Sequence, residues 1–400
     1  MTQAFTKLAI LGSTGSIGGQ CLSVVESLPG RFGVVALAAG ANVDELTKQI
    51  EKHRPEIVSV GDETKVDELA ARLKAKGISP IPAIHHGREG MLAVGTHLAA
   101  DMVVSAAVGV VGLEATYEAI KAGKSLALSN KEVLVAAGEL VMAAVKKSGR
   151  ELLPVDSEHN AVHQCLRGGS HGEVRRLVLT ASGGPFRKTP LASLEKVTPE
   201  QALAHPNWRM GNRITIDSAT MMNKGFEVME ARWLFGMQPE QIEVMIHPQS
   251  TIHSMVEFVD GSVLAQLGPT DMRMPIQYAL TYPERVASNE LALDWSKLKR
   301  LDFAKASTRR FPCLRLAREA MKKGGAWPCA LNAADEVAVA AFLERRLPFL
   351  GIPEVIERVL ARTPKTRFDT MDDVLTADGE ARRMAKEEVN RLGVSAVAAS

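Results

Sequence analysis

Short apolar runs alternate with amphipathic stretches from residue 7 to residue 155, and this alternation constrains the fold more than any other feature of the 400-residue chain. The apolar runs have the length of buried strands, and the stretches between them repeat apolar residues at helical spacing. Strands that alternate with helices form βαβ units and a parallel sheet, so the sequence predicts an α/β domain. The predicted strands are Lys7–Leu11, Val34–Ala38, Ile57–Val60, Met102–Ser105, Ser125–Leu128 and Leu152–Val155, and the predicted helices are residues 16–27, 43–53, 65–76, 113–122 and 131–147.

A glycine-rich loop, "GSTGSIG" at residues 12–18, follows the first predicted strand and precedes the first predicted helix. Glycines permit a tight turn close to a pyrophosphate, and the helix N-terminus offers free N–H groups to it. The spacing is GxxGxxG rather than GxGxxG, so a glycine turn without a ligand is the alternative. In a series of βα units the loop favours a Rossmann-like dinucleotide-binding domain over residues 1–155.

The end of the second predicted strand indicates which dinucleotide would bind. An NAD enzyme often has an acid there to hold the ribose 2′-hydroxyl. Here Gly40, Ala41 and Asn42 occupy the tip, and the first acid is Asp44. The missing acid leaves room for a 2′-phosphate and favours NADP, although no adjacent Lys or Arg is present to bind that phosphate.

The pattern changes after residue 155, and the chain is too long for one typical core. Residues 156–290 mix β-like segments with a helix near residues 221–235 and several Gly/Pro loops. The β-like segments are Arg176–Thr180, Glu243–Ile246 and Ser262–Gln266. This mixture predicts a central α+β catalytic domain with a flexible flap. Residues 291–312 hold few periodic elements and are predicted to be a connector. Residues 313–400 carry helical patterns with short Gly or Pro breaks, which predicts a C-terminal helical bundle.

Composition excludes several classes of partner. Hydrophobic residues make up 46% of the chain, charged residues 24%, and the net charge is +2 with mixed signs, so neither nucleic acid nor membrane is expected as a partner. The longest weakly polar run, Met102–Leu113, is far shorter than the ~20 residues that span a bilayer, and the N-terminal sequence lacks a signal-peptide pattern. The four cysteines have no CxxC spacing, which indicates reduced thiols in a cytoplasmic protein.

Two acids follow the last predicted strand of the first domain, in "VDSEHNA". In an extended segment Asp156 and Glu158 would point the same way, at the strand end where ligands of open α/β sheets collect. Like charges this close need a counter-charge, and a divalent cation would supply it. The alternative is a solvated helix N-terminus with Ser157 as its cap.

A second acidic segment, "DSATMMNKGFE", is predicted to begin a helix near Met221 or Met222. Asn223 and Lys224 then share a helix face with Glu227, although a Lys–Glu pair on a surface would look the same. Ser218, Asn223 and Lys224 would make a phosphate pocket of hydroxyl, amide and cation. Hard carboxylate ligands suit Mg²⁺ or Mn²⁺ rather than Zn²⁺.

Lys131 lies in the first turn of a predicted helix, where the helix dipole disfavours a cation. Ser129 and Glu132 have capping-box spacing around it. This local conflict indicates a lysine that faces a ligand, and a solvated surface lysine is the alternative.

The loop "HPNWRMG" places His205 and Trp208 outside any predicted helix or strand. An indole on a loop is typical of a mobile lid that excludes water from a substrate. The alternative is a tryptophan that anchors the loop to the core. His253 could line the same site, although a lone histidine is more often structural.

The chain carries, in this order, "GSTGSIG", "SNKE", "VDSEHNA", "SGGPF", "HPNWRMG", "DSATMMNKGFE", "HPQSTIHS" and "TDMRMPIQYAL". Together these segments resemble the 1-deoxy-D-xylulose 5-phosphate reductoisomerase family, from residue 7 to about residue 345. The resemblance implies a homodimeric oxidoreductase and isomerase of non-mevalonate isoprenoid biosynthesis. Such an enzyme converts 1-deoxy-D-xylulose 5-phosphate into 2-C-methyl-D-erythritol 4-phosphate, with a retro-aldol/aldol isomerisation, NADPH, and Mg²⁺, Mn²⁺ or Co²⁺.

The resemblance also implies roles for individual residues. It makes Asp156, Glu158 and Glu227 the metal ligands and adds Lys131 to the catalytic residues. The implied substrate contacts are Ser157, Ser182, His205, Trp208, Ser218, Asn223 and Lys224. The implied cofactor contacts are Thr14, Gly15, Ser16, Ile17, Gly40, Asn42, Asn130 and Gly211.

The chain departs from the family pattern at a few positions. Ala41 stands where relatives often carry Lys or Arg in "AG(K/R)N", and Asp335 stands where they often carry Asn. "GPTDMR" replaces the more usual "TPDMR". Two other functions are compatible with parts of the pattern: an NADP-linked reductase that does not isomerise its substrate, and a cofactor-binding regulator without turnover.

Overall fold

The computed structural model describes residues 5–107, 109–288 and 291–398. Contacts divide the chain into two compact units. The first unit takes the residues up to Val133 together with Val141–Asn160 and Asp271–Leu291, and the second takes Leu134–Leu140, Ala161–Thr270 and the residues from Ala292 onward. The chain therefore passes between the units several times.

The strands form a seven-stranded sheet in the first unit and a five-stranded sheet in the second. Those of the first sheet are β1 Thr6–Leu11, β2 Phe32–Ala38, β3 Ile57–Val60, β4 Ala83–His86, β5 Met102–Ser105, β6 Ser125–Leu128 and β7 Leu152–Pro154. Those of the second are β8 Val174–Ala181, β9 Ile242–Ile246, β10 Ile252–Phe258, β11 Val263–Leu267 and β12 Ala304–Lys305.

The α-helices of the described residues lie between and after these strands. In chain order they are α1 Ser16–Ser27, α2 Val43–His53, α3 Glu63–Ala75, α4 Gly87–Gly95, α5 Leu113–Lys121, α6 Lys131–Ser148, α7 Ser157–Leu166, α8 Pro199–Leu203, α9 Asn212–Thr220, α10 Met222–Phe235, α11 Arg273–Thr281, α12 Pro312–Lys323, α13 Ala326–Leu343, α14 Gly351–Arg362 and α15 Met371–Ala398. Within the described residues, no helix is both long and apolar enough to cross a membrane.

The first sheet is parallel throughout, in the order β4-β3-β2-β1-β5-β6-β7. The chain winds outward from β1 to β4 and then in the other direction from β5 to β7, so the order reverses between β1 and β5. Ligands of open α/β sheets bind at such a reversal, beyond the carboxyl ends of the strands. The predicted Rossmann-like parallel sheet is confirmed.

The core of the first unit follows from its strand sequences. Leu8, Ile10, Leu37 and Val104 are buried between the sheet and its helices. Burying an aliphatic side chain of this size contributes about 1.5–3 kcal/mol. Strands covered on both faces need apolar residues at successive positions, which is why these strands were predictable as continuous apolar runs.

The second unit combines a mixed sheet with C-terminal helices. Its order is β11-β10-β8-β9-β12, in which β8 and β9 are parallel and the other pairs are antiparallel. Helices α12 to α15 follow the sheet, and α13 buries Leu331, Ala338 and Phe342 in the core of this unit. The predicted α+β region and helical bundle are confirmed, whereas the domain limits at residues 155, 290 and 312 stay predictions.

Candidate active site

The glycine loop between β1 and α1 is shaped for a close ligand. Gly12 and Ser13 donate their backbone N–H groups to Ala38 O, over 2.9 and 2.8 Å, and Gly12 has a positive φ of 83°. A Cβ atom on Gly12 would lie 2.6 Å from Ala106 O, and one on Gly18 would lie 2.3 Å from Gly12 O. Helix α1 has neither a side-chain cap nor an acid in its first turn. The predicted contacts Thr14, Gly15, Ser16 and Ile17 therefore fit a pyrophosphate at a helix N-terminus.

The tip after β2 is exposed and carries no cation of its own. Asn42 caps α2, since its side chain accepts the Glu45 N–H over 3.1 Å. Asp44, the first acid beyond the tip, forms an ion pair with Arg72 of α3. Gly40 and Ala41 are exposed beside it.

Asn130 and Glu132 hold the loop that follows β5. The Asn130 amide donates to Gly109 O over 3.0 Å, and Glu132 Oε1 accepts the Gly109 N–H over 3.3 Å. Asn130 Oδ1 also accepts the Glu132 N–H over 3.0 Å, so Asn130 caps α6. The predicted capping box of Ser129 and Glu132 is wrong, because Glu132 turns to Gly109. This loop was not predicted as part of the site, although its glycines (residues 109 and 112) are a visible signal in the sequence.

Lys131 is a largely buried lysine with an acidic partner. Its Nζ forms an ion pair with Asp156 Oδ2, and the two side chains are only 12% and 9% exposed. The solvated surface lysine is therefore wrong. A buried cation at the carboxyl edge of the sheet can orient an anionic or polar ligand there.

The segment after β7 is helical, which corrects its predicted geometry. Helix α7 begins at Ser157, and Asp156 Oδ1 accepts the Glu158 N–H over 3.1 Å. The extended conformation and the cap at Ser157 were both wrong, because Asp156 is the side chain that satisfies the helix N-terminus. Ser157 Oγ instead donates to Glu158 Oε2 over 2.6 Å.

The residues behind Asp156 fix it in place. His159 is fully buried, and its Nδ1 lies 3.7 Å from Asp156 Oδ1. Asn160 donates to Pro154 O over 2.9 Å and to Pro275 O over 3.2 Å, which ties α7 to β7 and α11. Asp156 thus precedes a helix that hydrogen bonds tie to its neighbours in the first unit.

In the second unit, the start of α10 brings three predicted site residues together. Met221, with φ of 63°, links α9 to α10. Glu227 forms an ion pair with Lys224 and accepts an Asn223 Nδ2–H bond over 2.6 Å. The Lys224 and Glu227 side chains are 3% and 0% exposed, so the surface-pair alternative is wrong. Breaking such a buried pair from one side costs about 3–5 kcal/mol.

The glycines that follow Ser182 after β8 lie close to Ser218 of α9. Gly183 and Gly184 have positive φ, and a Cβ atom on Gly184 would lie 2.8 Å from Ser218 O. Glycine therefore permits the loop to approach helix α9. Ser182 Oγ lies 2.9 Å from His205 Nε2.

The loop of residues 204–211, which we call the flap, is folded around His205. The backbone N–H groups of Asn207 and Trp208 donate to His205 Nδ1 over 3.2 and 2.9 Å. The Asn207 amide donates to Pro248 O over 2.6 Å. The half-buried Trp208 ring lies 6.1 Å from the His253 ring.

A buried carboxyl pair next to the flap was not predicted. Asp335 of α13 is 0% exposed, and burial, followed by the charge of Asp217, raises the pKa of Asp335 well above its ordinary value. Arg213 Nη2 lies 3.7 Å from Asp335 Oδ2 and donates to Asn332 Oδ1 over 2.9 Å. These contacts link α9 to α13. Sequence patterns do not show which helices will face each other.

The predicted residues are divided between the two units. Lys131, Asp156, Ser157 and Glu158 belong to the first unit, with every cofactor residue except Gly211. Gly211, Ser182, His205, Trp208, Ser218, Asn223, Lys224 and Glu227 belong to the second. The roles of all of these residues stay predictions.

Family models match three successive parts of the chain. The model described as 1-deoxy-D-xylulose 5-phosphate reductoisomerase matches residues 8–138, and the model of the C-terminal domain of the same enzyme matches residues 152–235. A third, the DXP reductoisomerase C-terminal domain, matches residues 267–384. All three descriptions agree.

Curated relatives match over nearly their whole length. The 1-deoxy-D-xylulose 5-phosphate reductoisomerase of Solibacter usitatus is 51% identical over 98% of this chain and 99% of its own. That of Pelotomaculum thermopropionicum is 51% identical over 96% and 99%. The chain belongs to the 1-deoxy-D-xylulose 5-phosphate reductoisomerase family.

Solved structures of the family share the fold. The 1-deoxy-D-xylulose 5-phosphate reductoisomerase of Zymomonas mobilis, in complex with NADPH, is 42% identical with a TM-score of 0.89, over 96% of this chain and 99% of that one. A DOX-P reductoisomerase in complex with NADPH, fosmidomycin and magnesium is 38% identical with a TM-score of 0.91, over 96% and 98%. The resemblance seen in the sequence segments is thus confirmed for the whole chain.

Proposed function

We propose that this chain isomerises 1-deoxy-D-xylulose 5-phosphate by a retro-aldol/aldol rearrangement and reduces the product with NADPH to 2-C-methyl-D-erythritol 4-phosphate, in non-mevalonate isoprenoid biosynthesis. The observation that carries the proposal is the buried Lys131–Asp156 pair at the carboxyl edge of a dinucleotide-binding sheet. A cation and a carboxylate at that edge can orient a carbonyl and a hydroxyl beside a nicotinamide. The relatives solved with NADPH and magnesium support it.

The NADPH site is assigned to the glycine loop and the neighbouring strand ends. The N-terminus of α1, free of acids, can bind the pyrophosphate, and Gly12 and Gly18 permit its close approach. Asn42 lies at the tip where the ribose phosphate would bind. The assigned contacts are Thr14, Gly15, Ser16, Ile17, Gly40, Asn42, Asn130 and Gly211.

The divalent metal is assigned to Asp156, Glu158 and Glu227. The donor set is oxygen alone, and Asp156 and Glu227 are buried and held by hydrogen bonds, which fits Mg²⁺ or Mn²⁺, with Co²⁺ as a substitute. When bound, the metal supplies Lewis-acid stabilisation of the negative charge that develops on the substrate oxygens. Lys131 pairs with Asp156 and orients it, and Lys224 does the same for Glu227.

The phosphate of the substrate is assigned to the second unit. Ser182, Ser218, Asn223 and Lys224 offer hydroxyls, an amide and a buried cation. Ser157 and Lys131 are assigned to the carbon backbone of the substrate. His205 and Trp208 belong to the flap, whose closure would exclude water from a reactive intermediate.

An NADPH-consumption assay with 1-deoxy-D-xylulose 5-phosphate, with and without Mg²⁺ and a chelator, tests the proposal. We expect consumption that depends on both substrate and metal, with 2-C-methyl-D-erythritol 4-phosphate as product. Consumption that persists in chelator would favour a reductase without isomerisation. NADPH binding without consumption would favour a regulator.

We further propose a cytoplasmic homodimer that uses neither nucleic acid nor membrane as a partner. All four cysteines are buried free thiols, which agrees with a reducing compartment. Strand β11 lies at the edge of its sheet, and its Val263 and Leu264 are exposed, so a second copy can cover them. We also propose that residues 1–155 bind NADPH, that residues 156–290 bind metal and substrate, that residues 291–312 are a connector, and that residues 313–400 form a helical domain.

A further inference from the structure

Hydrogen bonds to one ring nitrogen determine the tautomer of His205. The backbone N–H groups of Asn207 and Trp208 both donate to Nδ1, over 3.2 and 2.9 Å. An imidazole nitrogen that accepts N–H groups carries no proton. The other nitrogen, Nε2, therefore carries the hydrogen of a neutral ring. Burial, which lowers the pKa of His205, favours the same neutral form.

The tautomer of His205 sets the direction of its bond to Ser182. Nε2 lies 2.9 Å from Ser182 Oγ, and because Nε2 carries the hydrogen, the serine oxygen accepts. The same oxygen accepts a second bond from the Gly184 N–H over 3.2 Å. A hydroxyl oxygen has two acceptor lone pairs and one hydrogen. Since both lone pairs are engaged, the hydroxyl hydrogen is what Ser182 can offer to a ligand.

We infer that His205 is a positioning residue that holds the Ser182 hydroxyl as a donor toward the substrate phosphate through Nε2, while it folds the flap through Nδ1. The inference rests on the proposed function, because the phosphate belongs to the proposed substrate. Phosphate oxygens are acceptors, so a serine that is already oriented as a donor matches them without reorganisation. His205 acts on the substrate through Ser182.

Two substitutions separate the two roles of His205. An Asn side chain places its amide oxygen near the position of Nδ1 and has no atom at the position of Nε2. A Gln side chain brings its amide nitrogen to the position of Nε2 and leaves the position of Nδ1 empty. His205→Asn therefore keeps the acceptor for the flap, and His205→Gln keeps the donor to Ser182.

The two variants should show opposite patterns. We expect His205→Asn to raise KM for the substrate about five- to thirty-fold, the effect of losing one oriented bond to a charged group, with slow amide exchange of Asn207 and Trp208 retained. We expect His205→Gln to raise KM clearly less than His205→Asn does, while the amide exchange of Asn207 and Trp208 becomes faster. Steady-state kinetics and hydrogen exchange of the unliganded protein measure the two effects.

A double-mutant cycle tests the coupling through Ser182. Ser182→Ala should raise KM about ten-fold or more in the parent and much less in His205→Asn, because the oriented donor is already lost there. The matched controls are His171→Asn and His171→Gln, since His171 Nε2 bonds Phe235 O over 2.7 Å elsewhere in the same unit. Neither control should change KM.

Equal KM values in His205→Asn and His205→Gln would overturn the inference, and so would a full additional effect of Ser182→Ala in His205→Asn. A failure of the proposed function looks different, because the parent protein would then not consume NADPH with the substrate at all. The role of Nδ1 can still be tested in that case by amide exchange without substrate. Equal exchange rates of Asn207 and Trp208 in His205→Asn and His205→Gln would overturn that role.

Discussion

At the scale of single residues, Asp156 serves the fold and the proposed chemistry at once. One carboxylate oxygen caps α7 through the Glu158 N–H, and the other pairs with Lys131. The helix cap and the metal site were alternatives in the sequence, but the geometry makes them compatible. A capped helix start holds the carboxylate at a fixed position, and preorganisation of this kind lowers the cost of binding a cation.

We expect Asp156→Asn to lower turnover more than about 100-fold, because an amide is a poor replacement for an ionised metal ligand. The amide oxygen can still cap α7, but Lys131 loses its charged partner, so the free energy of unfolding should fall by up to about 3 kcal/mol. NADPH affinity, measured by fluorescence titration without substrate, should stay near that of the parent. Activity like that of the parent would contradict the metal assignment, and Glu227→Gln provides the parallel test in the second unit.

The residue types of the site could be predicted from the sequence, but their local partners could not. Acids, lysines and a glycine loop at strand ends indicate a ligand site because few structural roles need that combination. Whether Asp156 or Ser157 caps α7 depends on backbone angles at one residue. The sequence likewise suggests Ser129 as the partner of Glu132, because the two have capping-box spacing. Only the fold brings the Gly109 N–H to the Glu132 carboxylate.

At the scale of elements, the apolar pattern predicted most strands but missed those whose sequences lack an apolar run. Strand β4 was missed because it lies at a sheet edge and is largely exposed, so its sequence "AIHH" has no apolar run. Strand β10 was missed for the opposite reason. It is buried between β8 and β11 but contains His253, Ser254 and Glu257, whose polarity hides the strand. Tertiary contacts override the local pattern at both sites.

Helices α9 and α13 are joined by a carboxyl pair that should make stability depend on pH. The raised pKa of buried Asp335 means that the folded protein holds a proton that the unfolded chain releases near the ordinary value of 3.8. Its contribution to stability is therefore present at low pH and is lost as pH rises toward the folded pKa. Arg213 does not cancel the effect of burial on the pKa of Asp335, because Arg213 Nη2 lies 3.7 Å from Asp335 Oδ2, too far for a hydrogen bond.

We expect Asp335→Asn to stabilise the protein by about 1–3 kcal/mol at pH 8 and by less at pH 5, because an amide needs no proton to donate to Asp217. Urea denaturation at the two pH values measures the difference. Exposed Asp373→Asn is the matched control and should show no comparable gain at pH 8. A loss of stability at pH 8 in Asp335→Asn would show that Asp335 is ionised in the fold.

The flap allows the two roles of Trp208 to be distinguished. We expect Trp208→Ala to lower kcat/KM about ten-fold or more while the melting temperature falls by less than about 3 °C, because an indole that closes over substrate contributes more to the reaction than to the core. Trp327→Ala is the control, because Trp327 packs against the core of the second unit and should lose stability with little change in rate. An unchanged rate in Trp208→Ala with a large loss of melting temperature would establish the anchor instead.

At the scale of the whole molecule, the two units are not continuous stretches of sequence. Residues 271–291 join the first unit because Ile276, Ala279 and Leu280 of α11 pack into its core. Their apolar spacing predicts a helix but cannot say which core the helix will join. The fold class was therefore predictable from alternation and composition, whereas the membership of α11 depends on contacts between residues far apart in sequence.

Strand β11 is the part of the second sheet that most needs a partner. It pairs with β10 on one side only and ends the sheet. Val263 and Leu264 are 49% and 40% exposed, and Val259 of the preceding turn is 66% exposed. Monomeric proteins usually protect such an edge with charges, prolines or bulges. A second copy that covers β11 would bury these side chains.

We expect the parent protein to be a dimer in solution and Val263→Lys to shift it toward the monomer, because a lysine opposes both edge pairing and apolar burial. Light scattering across a concentration series measures the shift. Leu98→Lys is the matched control, since Leu98 is 94% exposed and lies outside β11, and it should leave the dimer intact. If Val263→Lys stays dimeric while the parent is a dimer, another surface forms the contact. If the parent is monomeric at every concentration, the homodimer itself is wrong.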